Sequence, residues 1–196
     1  MDSGKNIHNA VVVIKKTYEG IDKLMNYCRT ICCKNETNYN AAFSKFLRYK
    51  SDNDCEGWMI DDFILLFQNK SDIELKNGWR NGPVFVMEIN LSDKDVPTVF
   101  LSKFEYENID NWNPGCSPAD HDLFYQPLRM KESMDYEELL ELEYVKGTPK
   151  PSMKEKIAKD YRGLKRLVYM NIPLVKITSE NANDMIFGSF DKLRNI

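Results

Sequence analysis

The stretch Asn113–Asp122, NPGCSPADHD, holds Cys116, Asp120, His121 and Asp122 within seven residues of a proline-broken segment. Two kinds of chemistry could use such a set. A thiolate beside an imidazole is the working pair of cysteine hydrolases, which makes Cys116 and His121 a candidate nucleophile and base. Asp120, His121 and Asp122 are a candidate metal clip. Neither set has its usual context. Hydrolase pairs come from distant positions joined by the fold, and metal sites draw ligands from a second element. The expectation is therefore a non-catalytic surface connection, with Asn113, Ser117 and Asp120 satisfying backbone donors.

Cys28, Cys32 and Cys33 form CxxxCC, with Cys55 as a conceivable fourth zinc ligand. The common zinc spacing has two intervening residues and a second paired knuckle, and neither is present. Cys28 and Cys32 instead fall on an apolar seam, where free cysteine behaves as a small hydrophobe. Packing is expected, and no metal or cofactor. A third set lies among the strand candidates: Asp61 and Asp62, then Glu88-Ile89-Asn90, then Lys103. Two acids could hold a divalent cation, and a lysine could stabilise charge developing at a phosphate. The ordinary expectation for strand carboxylates in an antiparallel sheet is a solvent-facing position.

The elements that must position these residues begin with a long helix. Ile7, Val11, Ile14, Tyr18, Ile21, Met25, Cys28 and Cys32 alternate steps of four and three. That spacing predicts a continuous amphipathic helix within residues 1–33, its buried seam either crossing the domain or lending part of itself to a partner. Turn formers fill 34–57. Trp58–Gln68, Pro83–Leu91 and Thr98–Tyr106 read as three strands, and their short connections predict an antiparallel meander over 58–106. Residues 107–131 read as an irregular loop. Within 135–196, Asp135 with Glu138 and Ser152 with Glu155 stand at capping-box spacing and predict two helices, the first acidic and closed by Gly147, the second basic. Ile157, Tyr161, Leu164 and Val168 supply the second helix's stripe. Pro173–Thr178 then predicts a short strand, and Ser179 can cap a last helix. The sum is one α+β domain, 1–196, built around a small mixed sheet.

The order helix, three strands, helix, strand is similar to the minimal core of restriction-endonuclease-like nucleases. That resemblance implies a metal site on Asp61, Asp62 and Glu88, but Asn90 stands where such a site wants lysine, leaving Lys103 to reach it. A formal charge of −3, from 27 basic and 30 acidic residues, argues against a long nucleic-acid track. The longest apolar run, Phe63–Phe67, is far too short to span a bilayer. Five cysteines and no leader pattern point to the cytoplasm. No phosphate-cradling glycine loop, G-x-S-x-G or HExxH occurs. The expectation is a soluble, non-enzymatic accessory subunit of a larger microbial assembly. It would meet another protein subunit through Ile7, Val11, Ile14, Tyr18 and Ile21. The nuclease, or a degenerate nucleic-acid-binding relative, is the alternative.

Overall fold

In the computed structural model, which describes residues 3–139 and 143–196, the four-three seam carries one unbroken helix, α1, over Ser3–Cys33. Its second half lies on a sheet; its first half does not. Ile21, Met25, Cys28 and Cys32 are at most 2% exposed. Ile7, Val11 and Ile14 are 67%, 59% and 37% exposed. The expected burial of the seam therefore holds only from the middle of the helix onward. Tyr18 marks the change, donating to the Ile60 carbonyl at 2.6 Å and meeting the Phe63 ring edge-on at 5.6 Å.

The sheet is larger than the expected small one and wholly antiparallel rather than mixed. Its strands are β1 Tyr39–Ala41, β2 Asp62–Asn69, β3 Val84–Asn90 and β4 Thr98–Tyr106, then β5 Met134–Leu139, β6 Tyr144–Pro149 and β7 Leu164–Pro173. Seven strands run in the order β1-β2-β3-β4-β7-β6-β5. The α+β class and the meander β2-β3-β4 stand; the rest needs correction. Asp135–Gly147 is expected to be a helix, but its described residues are the hairpin β5–β6, with Met134 opposite Pro149 and Tyr136 opposite Gly147. Residues 140–142 of that expected helix lie outside the described residues. Gly147 is a packing glycine, not a helix stop: a Cβ there would sit 3.0 Å from Leu167 and 3.1 Å from the Tyr136 ring.

The next helix, Lys154–Asp160, ends after seven residues. Arg162 and Gly163 take the left-handed conformation, φ +54° and +81°, which stops helical winding and releases β7. Leu164 and Val168 therefore continue the apolar stripe as strand residues. A 3₁₀ turn over Pro151–Met153 leads into that helix, so the Ser152–Glu155 capping box is not formed. Leu174–Lys176 is likewise a 3₁₀ turn and not a strand. The final helix winds through a π-turn at Asp184–Gly188 into Ser189–Arg194.

Both faces of the sheet are covered, which is why every residue of β2 and β3 is buried. One face packs on α1 and the final helix through Phe63, Phe67, Phe85, Phe187 and Phe190. The other packs beneath the 107–131 segment and the Lys154–Asp160 helix through Trp79, Phe104, Trp112, Phe124 and Ile157. Trp79 and Trp112 meet edge-on at 4.8 Å, and each indole N–H donates to a carbonyl, of Asn113 and Arg162 respectively, both at 3.1 Å. Trp58 stays exposed.

Candidate functional site

Side chains alternate across a strand, so the register decides which carboxylates can meet. Asp62 is opposite Asn90, and Ile64 is opposite Glu88. Asp62, Glu88 and Asn90 therefore share the face that lies under the 107–131 segment. Lys103, opposite Phe85 and Val168, points to the other face, where its ammonium meets Glu105 at 3.1 Å. Asp61 stands at the strand edge and accepts from the Ser92 hydroxyl at 2.5 Å. Two of the four residues the nuclease resemblance implies are thus brought together, and the lysine is not among them. Nor do those two face solvent, the ordinary expectation: Asp62 is 3% exposed and Glu88 not at all.

The segment above them is more ordered than its prolines and glycines suggest. It winds through a 3₁₀ turn at Pro118–His121, one α-helical turn at Asp122–Tyr125 and another 3₁₀ turn at Gln126–Leu128. Ser117 caps it: its hydroxyl accepts from the Ala119 N–H, and its own N–H donates to Asp120 at 2.7 Å. This winding puts His121, Tyr125 and Arg129, spaced by four, on one side. The His121 ring stacks on Tyr125 at 4.8 Å, and the Arg129 guanidinium lies 3.6 Å from the same ring. That four-residue spacing was the sequence signal for the site. It is hidden by three prolines and a glycine in the same stretch.

The two layers join through ion pairs. His121 Nε2 meets Asp62 Oδ1 at 2.7 Å, and Asn90 donates to the other Asp62 oxygen at 3.0 Å. Arg129 grips both Glu88 oxygens and also pairs with Asp93. Tyr125 donates to Asp93 at 3.1 Å. Burial pushes the Glu88 carboxyl well above the ordinary range, and the adjacent Asp62 carboxylate adds to this against the pull of Arg129. Burial would lower the His121 imidazole, but hydrogen bonds and charge from Asp62 and Asp122 outweigh it and raise its pKa.

Searches against family models, curated proteins and solved structures find no match for this chain. His121 has both ring nitrogens on carboxylates, the second on Asp122 at 3.3 Å, and its raised pKa favours imidazolium over a free base. Cys116 is half-buried, and burial together with Asp120 pushes its thiol up to about 12, so it is not an activated thiolate. Cys28 and Cys32 are core residues whose thiols burial raises to about 12 and about 11. Among the described residues no group of three or more His, Cys, Asp or Glu side chains is placed to hold a metal ion. None of the described helices is long and apolar enough to cross a membrane. What the buried network does is clamp the 107–131 segment onto the sheet, each charge answered by another.

Beside it, an edge of His121 lines a cleft of about 410 Å³ with Arg48, Tyr49, Lys50 and Ser117. The other candidate is the bare half of α1. Its apolar residues continue a seam that is buried two turns later, and residues 3–17 include Lys15 and Lys16 but no acid.

Proposed function

We propose that the chain is a non-enzymatic accessory subunit, which holds another protein subunit on the first half of α1. The divided seam carries this reading. Ile7, Val11 and Ile14 repeat at coiled-coil spacing yet are 37–67% exposed, while the same seam is buried from Ile21 onward. An exposed apolar run at that spacing suits the knobs of a second helix. Lys15 flanks it, and residues 3–17 hold no acid, so the occupant is an amphipathic helix with acidic flanks. A second copy of the chain would bring like charges together. Five free cysteines suit a reducing compartment such as the cytoplasm.

The test places a photo-crosslinking residue at Val11 of the full chain in its own host, with exposed Lys165 as control. A crosslink from Val11 alone, mapping to an acid-flanked amphipathic helix, is expected. The purified pair should co-elute and separate when Ile7→Asp is introduced, with unchanged melting. Crosslinks to a second copy alone, or equally from both positions, overturn the reading.

The metal-dependent nuclease, or a non-cutting nucleic-acid-binding relative, keeps one supporting observation: Asp62 and Glu88 lie side by side. It ranks second because Arg129 and His121 already answer both charges and Lys103 lies across the sheet. Magnesium-dependent nucleic-acid cleavage abolished by Glu88→Gln would reverse the order.

A further inference from the structure

A different flank of α1 carries an apolar groove. It runs between the helix and residues 174–182, with a volume of about 410 Å³, within the range of small-molecule sites. Ile21, Leu24, Tyr27, Leu174 and Ile177 line it. Exposed Lys16 and Lys23, two helical turns apart, stand on its rim. Between them is Gly20. Glycine weakens a helix interior, and nothing inside this fold asks for it: a Cβ there would meet no atom within 4 Å. Its effect is to leave the groove open down to the helix backbone. Spread over the roughly 16 Å from the Lys16 turn to the Tyr27 turn, the groove is a channel about 8 Å across, once the radius of water is added on each side of the space open to water centres. That is room for one extended chain. A helix, about 10 Å wide, does not fit.

We propose that this groove binds a single-chain amphiphile with an anionic head, a long-chain carboxylate. The tail lies over Gly20 against Leu24 and Tyr27, and the head pairs with Lys16 or Lys23 at the rim. The site is independent of protein docking, since it lies roughly 140° around the helix from the Ile7–Val11–Ile14 seam.

The experiment titrates the purified full chain with the fluorescent fatty acid cis-parinarate, then displaces it with palmitate or with uncharged hexadecanol. One saturable site per chain, emptied by palmitate, is expected. Gly20→Leu fills the channel and should weaken the probe about tenfold or more, with melting at or above that of the natural chain. Lys16→Glu with Lys23→Glu, both on exposed positions, should weaken palmitate but not hexadecanol. Non-saturating uptake, or full affinity in folded Gly20→Leu, overturns the site. Equal loss of palmitate and hexadecanol in the lysine variant overturns the assignment of an anionic head.

Discussion

Arg129 is the side chain on which the buried network depends. Its guanidinium pairs with Glu88 and Asp93 and donates to the Tyr125 carbonyl at 2.8 Å. Glu88 has no exposure to solvent, so losing its partner would strand a buried charge. Arg129→Ala is expected to cost about 3–5 kcal/mol. Removing both partners, as Glu88→Gln with Arg129→Met, should recover most of that in denaturant melts. The pH dependence follows from the two raised pKa values. For His121 the folded pKa exceeds the unfolded one, so its contribution is complete below about 6.5, the ordinary histidine value. It is lost as pH rises through the higher folded value. Glu88, raised mainly by burial, acts with the same sign, its contribution falling as pH rises through its own folded pKa. Stability should therefore decline as the pH rises above about 6.5, and His121→Gln should flatten that decline. An equal slope in both proteins would show that the clamp does not titrate.

At the scale of elements, legibility in the sequence tracked whether a pattern had only one physical source. The strands β2, β3 and β4 were legible because β-branched and aromatic runs sat between turn formers. The seam of α1 was legible for its length. The hairpin β5–β6 was not, because glutamate and leucine are helix formers, and only packing of Gly147 against Leu167 and Tyr136 reveals the strand. The junction before β7 misled differently: Leu164 and Val168 match both a helical stripe and a buried strand. Arg162 and Gly163 decide it, and Gly163 can be tested. A Cβ at Gly163 would meet nothing closer than 3.6 Å, so backbone conformation at φ +81° is the main obstacle to a side chain. Gly163→Ala should cost about 1–2 kcal/mol, measured as a lower denaturant midpoint with an unchanged slope. The same logic applies to the candidate site. Asp62, Glu88 and His121 drew notice from their chemistry, but Arg129 did not, because prolines and glycines masked the turns that align it with them.

For the whole molecule, the sheet is closed over on both faces, and the first half of α1 stands outside that closure. The seam thus divides into a part that folds the protein and a part left exposed. Tyr18 holds the boundary through Ile60 and Phe63. Substitutions along one stripe should therefore have opposite consequences. Ile21→Asp puts a charge where the side chain is 2% exposed, among apolar neighbours, and should cost about 4 kcal/mol or more. Ile7→Asp, at 67% exposure, should leave the isolated chain's melting unchanged. Deleting residues 1–14 should do the same, since the core begins beyond them, yet it should abolish association with the partner subunit. Thermal melts of the three variants, run beside size-exclusion chromatography of the complex, check both halves at once. A deletion that melts well below the natural chain would place the first half of α1 within the folding unit, and its exposed residues would then need another explanation than a partner.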